Sequence, residues 1–500
     1  MIAKILSAIP YGYEGRLIEV EGDLNKGLPA FNIVGMANKT ITEAKERVKS
    51  ALVNSGFEFP NKKVTINLAP ADLLKDGAYL DLPIALAILS ISHQLLPSDT
   101  TDSLFVGELS LNGELRPIKG IINIVEAAKK SKIKKVFIPI QNYQQATLIS
   151  GITIIGVKNL KELFLHLKNE KTIKNSINVV KNKETDSISP TLDHIRGQAF
   201  AKRAISIAIA GHHNILISGP PGAGKTLLAK AAANLLPSLS PEEQIAITKI
   251  HSISGITDDI VHSRPFRSPH HTASPVSIIG GGPHAMPGEI SLAHLGILFL
   301  DELPEYPRSA LEALRQPLED KRISISRANQ KAFYPADFML IATMNPCPCG
   351  YLGDPTHECT CTSQQISSYL KKLSGPLFDR IDIIIDVQKV NNSDLLRSTP
   401  TDTNEHNVVK NKITEALNRQ RARYGKGDFY NSSLSSHQVS TLLHLDKDAE
   451  QLLYQASEKL NLSARAYFKV IKVAQTIADL DSSDSIKTKH ISEALTFRKR

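Results

Sequence analysis

Asn214-Ile-Leu-Ile-Ser-Gly219-Pro220-Pro221-Gly222-Ala223-Gly224-Lys225-Thr226 runs directly into a helix-like segment, Leu227 to Leu236. An apolar run, a glycine-rich turn and a helix, in that order, are the setting in which backbone N–H groups close around phosphate. The helix N-terminus adds its positive dipole end. Gly219, Pro220, Pro221, Gly222, Ala223 and Gly224 are then expected to form the cradle, with Lys225 reaching the β- and γ-phosphates and Thr226 ligating Mg²⁺. The alternative is a chance match in a glycine turn, and the flanking strand and helix both argue against it.

Working outward, Gly296-Ile-Leu-Phe-Leu-Asp301-Glu302 reads as a buried strand that delivers Asp301 to the Mg²⁺ shell and Glu302 to the attacking water. The plain alternative is a strand ending in a solvated acidic turn. A third apolar strand, Phe338-Met-Leu-Ile-Ala-Thr-Met, ends at Asn345, where an asparagine senses the γ-phosphate in AAA+ proteins. Phosphoryl transfer also needs cations where negative charge develops. Arg380, in Gly375-Pro-Leu-Phe-Asp-Arg-Ile-Asp, is expected to be the finger offered to an adjacent subunit's ATP, a role that contributes on the order of 10³–10⁵ in rate. Arg465, in Leu462-Ser-Ala-Arg-Ala, is expected to be the sensor of a helical lid, and Arg315 is a third candidate. Each arginine could instead make an ordinary surface salt bridge.

Around this motif series the chain divides into blocks. Residues 1–168 mix short strands with helices: Val64, Ile66 and Leu68 alternate with polar residues, Thr40 and Glu43 fit a capping box, and Asp81 to Ser90 reads as a helix. Residues 169–190 are polar and rich in lysine and asparagine, as a linker would be. Residues 191–390 alternate strands and helices, which predicts a parallel sheet flanked by helices. Residues 391–500 begin with a polar stretch and continue as a mainly helical lid. The expected fold is therefore α/β overall, with an α+β N-terminal domain, a phosphate-loop core and a helical C-terminal domain.

A formal net charge of +9 permits nucleic-acid binding without requiring it. Tryptophan is absent, so no base-stacking platform is advertised. The longest apolar run, Leu82 to Ile91, is too short to cross a bilayer, and a cytoplasmic location is the default expectation. All four cysteines fall between Cys347 and Cys361. Cys347-Pro-Cys349 and Cys359-Thr-Cys361 suggest two short turns giving four thiolates around a structural, tetrahedral Zn²⁺, unless His357 replaces one or the thiols are simply free.

The whole chain resembles the Mg-chelatase-like AAA+ ATPases of the ComM/YifB group. The matching segments include Asp193-His-Ile-Arg-Gly-Gln198, Pro265-Phe-Arg-Ser-Pro-His-His271, Pro287-Gly-Glu-Ile-Ser-Leu-Ala-His294, Leu311-Glu-Ala-Leu-Arg-Gln-Pro-Leu-Glu319, Asn345-Pro-Cys-Pro-Cys-Gly-Tyr351 and Thr476-Ile-Ala-Asp-Leu480. That resemblance implies a hexameric ring of identical chains driving DNA branch migration in the recombination of incoming DNA during natural transformation, with recombination proteins as possible partners. Lys469 and Gln475 stand where the family usually has arginine, and Gly211-His212-His213 where it has Gly-Gly-His. The first block resembles the Lon protease C-terminal domain through Gly107-Glu-Leu-Ser-Leu-Asn-Gly113, Arg116-Pro-Ile118 and Val136-Phe-Ile-Pro139. Tyr79 takes the nucleophilic serine's place and Ile122 the lysine's, although Lys119 lies near. The resemblance thus implies a scaffold without peptidase chemistry.

Two inserts are candidates for contacting DNA in the ring's channel. One, between Arg264 and Glu289, carries Arg267. The other is an expected hairpin whose tip offers Arg327 and Lys331, with Ile323 and Ile325 alternating with serines. The rival reading is an AAA+ remodeller of a protein partner, as in Mg-chelatase or a chaperone, indifferent to DNA. A third reading is an ATP-dependent protease.

Overall fold

The computed structural model describes residues 2–35, 39–73, 75, 77–174, 190–257, 259–282, 285–327, 330–354, 357–390, 404–425 and 429–498. Much of the predicted linker (175–189) and of the polar stretch before the lid (391–403) lies outside the described residues.

The N-terminal block is built on a seven-stranded sheet in the order Ala30–Val34, Lys63–Ala69, Glu14–Asn25, Ile2–Tyr11, Ser103–Phe105, Lys135–Pro139, Thr153–Val157. The pairs of Glu14–Asn25 with its two neighbours are antiparallel and the others are parallel. Val64, Ile66 and Leu68 are fully buried while the residues between them are half-buried, as their alternation requires. The helix Asp81–Ile91 is buried at every position, so its uniform apolarity reflects a core helix. The preceding helix is Lys39–Asn54, and the Thr40 side chain of the expected capping box lies outside what the structure describes; Gly56, at φ +84°, ends the segment in the left-handed conformation glycine tolerates. Tyr79 packs between the block's two apolar clusters and Ile122 is fully buried. Lys119 lies against Gly255 of the next block.

The central block holds a five-stranded, wholly parallel sheet in the order Phe266–Arg267, Ile297–Leu300, Met339–Met344, Ile215–Ser218, Ile383–Asp386. Because successive residues of a strand face opposite sides, the sheet feeds two cores. Ile215, Ile217, Ile297, Phe299, Met339 and Ile341 pack with the helix Ala199–Gly211 and with the lid. Leu216, Leu298, Leu300, Leu340 and Ala342 pack on the other side with Ile323, Ile325 and Tyr334 of a hairpin. That hairpin, Arg322–Arg327 paired with Gln330–Pro335, is the one its alternation predicts.

The lid contributes the helices Glu405–Tyr424, Ser436–Leu442, Lys447–Lys459, Ala464–Leu480 and Thr488–Thr496, which share an apolar cluster with one face of the sheet. At its centre the buried Asp479 is held by Arg423 Nη1 at 3.1 Å, Asn431 Nδ2 at 2.9 Å and Gln475 Nε2 at 3.0 Å. Arg423 supplies the cation here, so Gln475 can be neutral. The N-terminal block meets the core through the helix Pro241–Ser254. Lys249 pairs with Glu126 and sits 4.0 Å from the Tyr13 ring centroid, and Ser252 Oγ accepts from the Gly120 amide at 3.0 Å. No helix among the described residues is long and apolar enough to cross a membrane.

Candidate functional site

The phosphate site lies at the C-terminal edge of the parallel sheet, where such sheets leave a crevice. Register brings its parts together: Ser218 is paired with Met344 and Leu300 with Ala342, so the residues that follow, Gly219, Asp301 and Asn345, emerge side by side. Gly222 and Gly224 have φ of +80° and +82°, a conformation that explains glycine at both places. Lys225 opens the helix Lys225–Ala233, and its Nζ donates to Gly219 O at 2.5 Å, Pro220 O at 3.1 Å and Asn345 Oδ1 at 2.9 Å. Those are acceptors that phosphate oxygens would displace. Burial lowers the Lys225 pKa, against the opposing pull of Asp301 and Glu302.

Thr226 Oγ1 donates to Asp301 Oδ2 at 3.1 Å, so a hydroxyl and a carboxylate share one spot, the hard oxygen set that suits Mg²⁺. The buried Thr343 completes this arrangement. Its hydroxyl donates to the other Asp301 oxygen and accepts the Glu302 amide at 3.1 Å, fixing both acids. Glu302 sits at φ +53°, which is costly for a non-glycine residue and is often retained at functional sites. His271 Nδ1 lies 3.8 Å from Glu302 Oε2, and the ring meets Tyr306 edge-on. Sequence reasoning missed Thr343 and the approach of His271 to Glu302. A lone hydroxyl in a fully apolar strand was the available signal for Thr343, because a buried hydroxyl needs a partner.

Arg380 and Arg465 stand elsewhere. Arg380 O accepts from Asn214 Nδ2 at 2.9 Å, and Asn214 precedes the strand whose far end carries the phosphate loop. Four residues at about 3.3 Å each separate the two edges by roughly 13 Å. The Arg380 guanidinium donates to Arg315 O at 3.1 Å and Pro376 O at 2.6 Å, and pairs with Glu319 at 2.6 Å. Arg465 reaches the same Glu319 oxygen at 3.2 Å. Both arginines line a cavity of about 570 Å³ together with Lys469 and Lys472. Lys469 donates to Ile381 O at 2.7 Å, and burial lowers its pKa. The two arginines are thus brought to one another and kept from their own phosphate loop. Arg315, the third candidate, contributes its carbonyl to Arg380 and pairs its own guanidinium with Glu312.

Three family models match successive parts of the chain: magnesium chelatase, subunit ChlI, at 191–395; subunit ChlI of Mg-chelatase at 20–142; and the ChlI C-terminal model at 403–498. The chain is also 42% identical over 504 aligned residues to the Competence protein ComM of Haemophilus influenzae, covering 99% of this chain and 97% of that protein. It belongs to the Mg-chelatase-like AAA+ family. YifB of Escherichia coli is 41% identical over 96% of this chain and 94% of its own length. Lon protease 2 of Bacillus subtilis is 34% identical over 190 residues, 34% of each chain. Membership of the Mg-chelatase-like AAA+ family implies ATP and Mg²⁺ at the phosphate site.

In this Mg-chelatase-like chain the loop after Asn345 gathers all four cysteines, with ligand atoms within 4.8 Å of one another. Cys347 Sγ lies 3.3 Å from Cys349 Sγ and 3.6 Å from Cys359 Sγ, and Cys349 Sγ lies 3.6 Å from Cys359 Sγ. Zinc–sulfur bonds of about 2.3 Å in a tetrahedron place sulfurs about 3.8 Å apart, so the set fits Zn²⁺ closely. The Leu352 and Cys349 amides donate to Cys347 Sγ and Cys361 Sγ, each at 3.3 Å, as second-sphere bonds do around thiolates. His357 is not in this group; its ring stacks on Tyr351 with centroids 4.9 Å apart. Gly350, at φ +85°, backs onto Pro221 of the phosphate loop so closely that a Cβ there would come within 2.8 Å of the proline ring.

The expected DNA contacts separate. Arg267 is bound bidentately by Glu289, at 2.6 and 2.8 Å, on the edge strand of the sheet. Its guanidinium is thus already engaged by a carboxylate of the same insert. Arg327 pairs in register with Gln330, but its side chain lies outside what the structure describes. Lys331 is exposed, with Nζ 5.2 Å from the centroid of Phe333, itself half exposed. Directly opposed residues of an antiparallel pair share a face, so Ser324, Ser326, Lys331 and Phe333 form the outer face while Ile323, Ile325, Ala332 and Tyr334 face the core.

Proposed function

We propose that the chain is an ATP-driven DNA motor that works as a ring of identical copies, most simply a hexamer, and serves branch migration during recombination of incoming DNA. The observation that carries it is the separation of the two edges of the sheet: a complete phosphate cradle at one, two arginines at the other, with no route between them inside one protomer. A neighbouring copy would then supply Arg380 and Arg465 to the nucleotide held by Lys225 and Thr226. In that arrangement Glu302, fixed through its amide by Thr343, takes the proton of the attacking water, and Asn345 orients that water against the γ-phosphate. Thr226 and Asp301 would hold Mg²⁺, whose charge would offset that of the phosphates.

The DNA assignment rests on three supports: a chain of net charge +9, a hairpin whose outer face pairs Lys331 with Phe333, and a full-length relative named as a competence protein. Zn²⁺ held by Cys347, Cys349, Cys359 and Cys361 would brace the segment behind Asn345. A cytoplasmic site and recombination partners are part of the same proposal.

The test is ATP hydrolysis and strand exchange by the full chain on branched DNA. Stimulation of hydrolysis by DNA, with both activities lost in Lys225→Ala, supports the motor; strand movement unchanged in that variant refutes it. The family models' name favours a second reading, a remodeller of a protein or porphyrin partner. It predicts stimulation by such a partner and indifference to DNA at any salt concentration.

A further inference from the structure

Arg380 and Arg465 converge on a single carboxylate oxygen, Glu319 Oε1, at 2.6 and 3.2 Å. Two guanidinium groups on one oxygen make an anion site, and Lys469 and Lys472 line the same cavity. The two arginines are not equivalent within it. The Arg380 side chain is 10% exposed and its Nε, Nη1 and Nη2 are all engaged within the protomer, whereas Arg465 is 46% exposed. Glu319 is 45% exposed, and Arg380 above all holds its carboxyl below the usual range, so at neutral pH it carries the charge the pair attracts.

We infer that Glu319 is a resting latch: its carboxylate occupies the position that a terminal phosphate oxygen of the neighbouring copy's nucleotide takes in the working ring. The inference rests on the trans arrangement proposed above. Glu319 and Arg465 are both half exposed, so their pairing is weak, and the carboxylate yields to an incoming polyphosphate that offers more charge and more oxygens to the same two forks. Until that anion arrives, the carboxylate fills the place between Arg380 Nη2 and Arg465 Nη2 that the anion would take. Glu319 belongs to the helix Arg315–Asp320, which leads directly into the hairpin beginning at Arg322. Release of the latch therefore acts at the root of the hairpin whose outer face carries Lys331.

Glu319→Gln keeps the shape and removes the competing charge. Its solvent exposure makes misfolding of the variant a minor concern, and a melting curve checks it. Two measurements test the latch. In the full chain, the protein concentration giving half-maximal ATP hydrolysis falls at least threefold in Glu319→Gln; an equal or higher concentration overturns the latch. In chains that also carry Lys225→Ala, which disables the phosphate loop, inorganic tripolyphosphate binds at least threefold more tightly when Glu319 is glutamine. Equal or weaker binding overturns the latch and leaves Glu319 as an anchor that merely positions the arginines. The outcomes separate this inference from its parent: if hydrolysis by the unaltered chain shows no dependence on protein concentration, the trans arrangement fails, whatever tripolyphosphate does.

Discussion

The two edges of the central sheet differ in what they lack. At the C-terminal edge, strand register gathers Asp301, Glu302, Thr343 and Asn345 beside the helix start that carries Lys225 and Thr226, and their hydrogen bonds already link most of them. At the N-terminal edge, Arg380 and Arg465 are gathered as tightly and share one carboxylate, Glu319. One edge carries the phosphate loop and the other the paired arginines, and a parallel sheet keeps them apart by its own length. On the proposed reading, the difference makes turnover a property of the contact between copies.

The largest expected effects come from removing chemistry at either edge. Arg380→Ala, or Glu302→Gln at the other edge, lowers the rate of ATP hydrolysis by roughly 10³-fold while nucleotide binding by the single chain persists. Equal loss from residues on opposite edges is what the comparison requires; hydrolysis near the unaltered rate in Arg380→Ala breaks it. Lys225→Ala differs in kind, because it weakens nucleotide binding itself, by about 10²-fold in a titration with a fluorescent nucleotide.

A smaller effect tests the brace under the phosphate edge. Stripping the metal with a chelator, or Cys347→Ser with Cys359→Ser, weakens nucleotide affinity by about tenfold, because Gly350 no longer backs Pro221. Unchanged affinity in a metal-free chain separates the cysteine loop from that edge.

Acid should loosen the arginine edge through His294, which lies just before the strand Ile297–Leu300 and accepts the Asp337 amide at 3.1 Å. Burial lowers its pKa from 6.5 to about 4. The unfolded chain therefore binds the proton first, and stability present above pH 6.5 is lost as pH falls from 6.5 towards 4. By pH 4 the loss is about 3 kcal/mol from this group alone. Melting temperatures across that window should fall less steeply in His294→Asn; identical slopes would remove His294 as the cause. The smallest effect is at the hairpin: Lys331→Ala weakens binding of branched DNA about threefold and lowers its salt dependence by one ion's worth, with Phe333→Ala acting similarly without the salt effect.

Much of this was legible in the sequence, for local reasons. The phosphate loop carries its strand and helix within a few residues, the acidic pair ends an apolar run, and the hairpin's Ile323 and Ile325 mark its buried face by alternation. What escaped depends on register or distant pairing. Thr343 matters because its strand lies beside Ile297–Leu300, and His271 because an insert folds back to Glu302. Glu319 matters because two arginines from separate segments arrive at one oxygen. The partner of Arg267 escaped too, because a charge in an insert looks the same whether it faces a ligand or Glu289. Gln475 looked like a lost cation until Arg423, from another helix, was found on Asp479.

Mixing two disabled chains tests the account most directly. Lys225→Ala retains Arg380 and Arg465, and Arg380→Ala retains the phosphate loop, so each is nearly inactive alone. Random assembly of equal amounts restores hydrolysis at roughly a quarter of the interfaces, wherever an intact loop meets an intact arginine edge. Recovery of that order is the predicted result; a mixture no more active than its parts would contradict the division of one ATP site between two copies.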